Sequence, residues 1–237
     1  MSMTLQEVMA ALESMGTEQT KKTWKRHGAQ GEFWGVKVGD MKLLQKKIKH
    51  NHELALALYN TGNADAMYFA GLISEPKKMT KADLQHWADT ATWYMLSEYT
   101  VAWASSESRF GHELALEWIR SDKEQLQSIG WSTYACLLAL KQDEDLDMQE
   151  IKSLMQQIPT SIHQQSNRVR YTMNVFVISV GTYCLPLLDE AKKIAKKLGS
   201  VSVHIGDTAC KVPNALAYIE KVEGMGRVGK KRKTVFC

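Results

Sequence analysis

HELALALY at 52–59 returns sixty residues later as HELALEWI at 112–119, with His, Glu, Leu, Ala and Leu in the same order. In both, the apolar positions fall three and four apart, the spacing of one face of an α-helix. Each phrase runs into a turn, TGNAD at 61–65 and RSDKE at 120–124. Each turn leads to a second apolar segment, AMYFAGLI at 66–73 and IGWSTYACLLAL at 129–140. The chain thus writes a helix-turn-helix pair twice, and a third pair-like unit centres on Leu187–Leu198.

The same periodicity runs outward from these phrases. Residues 4–15 set Leu5, Val8, Met9, Leu12 and Met15 on one face, and Thr4 with Glu7 reads as a capping box. Residues 39–49 place Met41, Leu44 and Ile48 on a stripe with lysines opposite. Further helices are expected at 51–60, 63–74, 80–90, 92–103, 111–120, 123–141, 147–157, 166–181, 187–198 and 213–223. TGN at 61–63, SEP at 74–76, SD at 121–122, QDED at 142–145 and IPT at 158–160 punctuate them, with Gly199 as a cap. Only VSVHI at 201–205 alternates like a strand, and one strand makes no sheet, so it reads as an extended connector.

Four prolines and fifteen glycines are too few for an all-β chain of this length. Helix pairs recurring every 40–47 residues or so build HEAT and armadillo arrays. Sixty is no clean multiple of that period, so the repeats are irregular. The expected fold is all-α, a right-handed α-α superhelix (solenoid) of irregular HEAT-like helix pairs, with a concave binding face; a plain helical bundle is the alternative. One domain is expected over 1–223, followed by a basic tail over 224–237 whose removal leaves the fold intact.

Composition narrows the function. The chain has 237 residues, 44% of them hydrophobic, enough for a sizeable core. Its net charge of +4 permits an anionic partner. The cysteines at 136, 184, 210 and 237 form no CxxC pair, and His50 and His52 have no third ligand nearby, so no metal or cofactor is expected. The N-terminal stretch carries Glu7 and Glu13, unlike a signal peptide, and the longest apolar run, 175–188, is broken by Gly181 and Pro186. The expectation is a cytoplasmic monomer with no membrane partner. GMGRVG at 224–229, followed by Lys230, imitates two nucleotide motifs, but a helix precedes it and Lys231 stands where Ser or Thr should hold magnesium. Nucleotide binding of that kind is discounted.

Basic residues recur: Lys21, Lys22, Lys25 and Arg26; Lys42, Lys46, Lys47 and Lys49; Lys77, Lys78 and Lys81; Arg168 and Arg170; Lys192, Lys193, Lys196 and Lys197; then Lys211, Arg227 and Lys230, Lys231, Arg232 and Lys233. For any one cluster a solvated helix face is the simpler reading. Together they suit a track of phosphate contacts. Seven tryptophans are many for this length, and Trp93 with Ser97 spans one helical turn in TWYMLSEY at 92–99.

These features, with FWGVKVGDMKLL at 33–44, NRVRYTMNVFVISVG at 167–181 and the segment 208–234, resemble the AlkD-type DNA alkylation repair family of HEAT-like-repeat DNA glycosylases. The resemblance implies a basic concave groove for duplex DNA and removal of cationic N3- or N7-alkylated purines. The family's Trp-x-x-x-Asp would place a carboxylate beside the oxocarbenium sugar. Here Trp93 matches, but Ser97 stands at the Asp position. Ser128 occupies the place of a family arginine, and a second tryptophan falls near Val175–Phe176. Loss of one preorganised electrostatic group costs about 10²–10³ in rate. Glu98 is the candidate substitute carboxylate. The DNA-binding set is Trp93, Ser128, Arg168, Arg170, Phe176, Lys192, Lys196, Lys211, Arg227, Lys230, Lys231, Arg232 and Lys233. The expected function is binding of duplex, damaged or branched DNA in a basic concave groove, with base excision put in doubt by Ser97. An active glycosylase, or a scaffold for an acidic protein, are the alternatives.

Overall fold

A computed structural model of the chain describes residues 3–236. Among the described residues thirteen α-helices follow one another: α1 Leu5–Met15, α2 Glu18–Arg26, α3 Val38–Ile48, α4 His52–Tyr59, α5 Ala64–Ile73, α6 Lys81–Thr90, α7 Ala102–Ser106, α8 Gly111–Ile119, α9 Glu124–Leu140, α10 Met148–Ser161, α11 Asn167–Tyr183, α12 Leu188–Leu198 and α13 Ala215–Gly224. A π-helical turn, Met95–Val101, runs directly into α7. Among the described residues there is no strand, only one backbone bridge between Gly16 and Val36.

The repeated phrase is a repeated structure. HELALALY is α4, and HELALEWI with its preceding glycine is α8. Leu54, Ala55 and Leu58 are buried in the first; Leu114, Ala115 and Trp118 are buried in the second. α4 packs on α5 and α8 on α9, so each phrase is the first helix of a pair. Side-chain caps start several helices: Thr4, with the full capping box to Glu7, and Asn51, Asn63, Asp147 and Asn214. Each supplies an acceptor to an N–H that the helix leaves unpaired. Gly130 lets α9 approach α8 closely, because a Cβ there would lie 2.6 Å from the backbone nitrogen of Ile119.

The chain divides into two compact units. The first comprises the described residues up to Arg109, with Ile205–Ala209 and Phe236. Its core gathers Val8, Leu12, Leu58, Phe69 and Trp87. A carboxylate clamp fixes the loop before α3: Asp65, fully buried, accepts the N–H groups of Trp34, Gly35 and Val36 at 2.6, 3.0 and 2.8 Å. Burial holds the Asp65 carboxyl above its ordinary range despite these three bonds. Gly35 sits at φ 80°, pressed against the Lys21 backbone, where a Cβ would come within 2.4 Å. This clamp is what the FWGV stretch builds.

The second unit comprises Phe110–His204 and Cys210–Val235. α11 is its centre and packs against α9, α12 and α13. Its core includes Ile151, Met155, Val177, Ile194 and Ile219. Residues after α13 belong to this fold. The N–H of Gly229 donates to Thr182 O at 2.9 Å, and that of Arg232 to Ala139 O at 2.7 Å. Lys231 reaches Asp143 at 2.8 Å with its side chain only 7% exposed, and Val235 is buried. The basic segment after residue 224 is thus tied to this unit at Gly229, Lys231 and Arg232.

Other expectations need correction. α2 was not anticipated; Thr17 caps it, and Trp24 is its only buried residue, so it shows no apolar stripe. The helix expected from 92 begins as the π-helical turn. α10 continues through Pro159 to Ser161 instead of stopping at IPT. Residues 201–204 form neither helix nor strand. Asn167 pairs with His204 there as a neighbouring strand would, donating to its carbonyl at 2.7 Å and accepting its N–H at 2.8 Å.

Candidate nucleic-acid interface

The positions singled out around Trp93 lie in the first unit and are packed. Trp93 is 8% exposed. Its ring lies 5.1 Å from Trp24 and 5.2 Å from Tyr94, and Trp24 stacks on Phe33 at 5.9 Å. The Trp93 Nε1 is buried without a hydrogen-bond partner. Ser97 and Glu98 are 4% and 6% exposed on the π-helical turn. In such a turn the i→i+5 repeat sets positions five apart over one another. Trp93 precedes this turn, and the N–H of Ser97 donates to Trp93 O at 3.1 Å, the i→i+4 bond of an α-helix, so Ser97 stays one turn after Trp93. A hydroxyl at 97 carries no charge with which to offset a sugar cation.

Two further expected positions, in the second unit, are also core. Ser128 is 2% exposed and its hydroxyl donates to Gln125 O at 3.0 Å. Phe176 is fully buried, edge-on to Trp131 and Tyr134 at 5.0 and 5.5 Å. Phe176 is not a DNA-facing residue. α11 is covered by α9, α12 and α13, so the ring falls between helices.

The cations differ among themselves. Arg168 lies over the Tyr171 ring at 4.5 Å, and its backbone N–H donates to Glu124. Arg170 contacts Asn167 at 3.5 Å, while its Nε is buried without a partner. Lys192 pairs with Glu223 at 2.8 Å, which ties α12 to α13. Lys196, Lys211, Arg227, Lys230, Arg232 and Lys233 are exposed. Lys231 is withdrawn from the surface by Asp143, so its expected role at phosphate is corrected. The structure gathers Arg227, Lys230, Lys231 and Arg232 at one cleft of about 510 Å³. Lys221, Tyr183, Tyr218 and Met225 also line it, and sequence reasoning had singled out none of them. In the first unit Lys22, Lys25 and Arg26 line a shallow depression on α2.

Residues 8–196 match the model of a family described as DNA alkylation repair enzyme. This chain belongs to the DNA alkylation repair family. Uncharacterised proteins of Listeria monocytogenes and Listeria innocua are 34% and 33% identical to it over 226 residues, covering 92% of this chain and 96% of theirs. A solved structure is 41% identical and superposes with a TM-score of 0.91, covering 99% of this chain and all of that one. That protein is described as one of a new family related to the HEAT-like repeat DNA glycosylases with affinity for branched DNA structures. The all-α, HEAT-like architecture and the DNA alkylation repair kinship expected from the sequence are thereby shown. The match to the family model ends at 196, so Lys221 and the cationic residues 227–232 fall beyond it.

Proposed function

We propose that this member of the DNA alkylation repair family binds branched DNA and does not excise alkylated bases. The likeness to the branched-DNA-binding protein, at 41% identity over 99% of the chain, carries this reading. The packing agrees with it. The position expected to bear a catalytic carboxylate is a buried serine, and the expected second tryptophan position is a core phenylalanine. Exposed Lys196, Lys211, Arg227, Lys230 and Arg232 are suited to phosphates, whose neutralisation releases counterions. In this reading the protein acts as a cytoplasmic monomer.

A second reading, base excision through Glu98, has one observation in its favour: that carboxylate is buried next to Ser97 in the same turn. One experiment separates the two. Binding of a four-way junction and of a linear duplex of the same sequence is measured by fluorescence anisotropy from about 50 to 200 mM salt. Base release from methylated DNA is followed in parallel. Tighter, steeply salt-dependent junction binding with no base release is expected. Equal affinity for junction and duplex would overturn the first reading. Base release abolished by Glu98→Gln would establish the second.

A further inference from the structure

We propose that the cationic cleft of the second unit is a subsite for one unpaired nucleotide of a DNA strand. Its phosphate is held by Arg227, Lys230 and Lys221, and its base lies on Tyr218. The inference deepens the branched-DNA reading and rests on it. The cleft, about 510 Å³, has walls from the end of α11, from α13 and from the segment that follows α13. That volume is ordinary for a small-molecule site, roughly 300–1,000 Å³.

Charge sets the class of ligand. Five cations and no acid line the cleft. Lys231 is neutralised by Asp143. Arg232 hydrogen-bonds to Tyr183, whose phenol burial keeps protonated. Among the described residues, Lys221, Arg227 and Lys230 have no acidic partner. They are free to meet an anion.

The glycine-rich turn of GMGRVGK, discounted above as a nucleotide motif, settles how that anion is held. Its amides are already used. The N–H groups of Met225, Gly226 and Arg227 donate to Lys221, Glu223 and Val222, and those of Gly229 and Lys230 to Thr182 and Arg227. No set of free amides converges to cradle a phosphate, as it would in a triphosphate-binding loop. No carboxylate lines the cleft to hold magnesium. Side-chain cations alone suit a monophosphate or a phosphodiester.

The apolar lining sets the rest. Tyr218 is 47% and Met225 54% exposed, two of the four large apolar side chains left at the surface among the described residues. A third, Leu185, borders Gly229 in the same turn. A ring beside cations is a platform on which a base stacks. A paired duplex offers phosphates but keeps its base faces inside the stack. Only an unstacked nucleotide satisfies the cations and the ring together, and a strand end or flap at a branch supplies one.

The test uses the full chain, wild type and three variants: Tyr218→Ala, Tyr218→Phe and Arg227→Ala/Lys230→Ala. Binding is measured to a duplex with a single-stranded flap, to a fully paired four-way junction, and to deoxyadenosine monophosphate. Tyr218→Ala is expected to weaken flap binding roughly tenfold and to leave the paired junction unchanged, with Tyr218→Phe retaining flap binding. The double variant is expected to lower the salt slope for the flap by about 0.7, the share of one single-strand phosphate. Flap affinity unchanged in Tyr218→Ala would overturn the subsite even if the junction binds well. Mononucleotide binding that depends on Tyr218, in a protein that binds neither DNA, would overturn the strand as ligand and the DNA reading with it, leaving a free nucleotide in the cleft.

Discussion

Around Trp93 and Ser97 the second link of each side chain is another side chain: indole on indole, hydroxyl within a helix, exposures of 8% and 4%. Along Arg227 and Lys230 the side chains face solvent and flank Tyr218 and Met225. The first region is filled by its own side chains. The second lies beyond the stretch that matches the family model, and its charges are available. The contrast shows that family membership is carried by the helical scaffold, whereas the cations of the exposed cleft lie outside the stretch that matches the family model. Fold and site are separable.

The contrast breaks first at Phe176. If it is core, Phe176→Ala should cost about 3–5 kcal/mol of stability in urea unfolding, because a ring between helices leaves a cavity. Full stability with weakened DNA binding would instead return Phe176 to the interface. Adjacent lysines give the next test. Lys231→Ala should destabilise by about 1–3 kcal/mol, since it orphans Asp143 and the carbonyl of Leu138. Lys230→Ala should change stability by no more than about 0.5 kcal/mol while weakening DNA binding. Similar behaviour of the two would erase the distinction between packed and available cations. The smallest effect is expected at Ser97. Ser97→Ala should shift stability by less than about 1 kcal/mol and leave DNA binding and base release where they were. A changed rate of base release would mean that the hydroxyl still serves chemistry.

Much of the fold was legible because it is local. The HELAL helices, the Thr4 capping box and the Gly199 cap each depend on residues within a turn or two. α2 was not, because Trp24 alone is buried on it and no periodicity results. The π-helical turn left no mark either, since no residue type signals an i→i+5 bond. Phe176 lies in a helix buried on several sides, where the apolar pattern gives no direction. Lys231 resembles its neighbours in composition. What removes it from the surface is Asp143 and a carbonyl 93 residues earlier in the chain. The cleft was half legible: the cations stood out, whereas Tyr218 and Met225 look like ordinary members of helix and turn until their exposure is known.

The turn Met95–Val101 can also be understood as a matter of chain length. A π-helical turn holds one residue more than the α-helical turn it replaces, with both ends of the helix kept in place. Deleting a single residue there would let the segment close on α-helical bonds, and everything on one side of the deletion would rotate by about 100° relative to a helix that simply lost a residue. An ungapped alignment across this turn therefore pairs residues that do not share a direction in space.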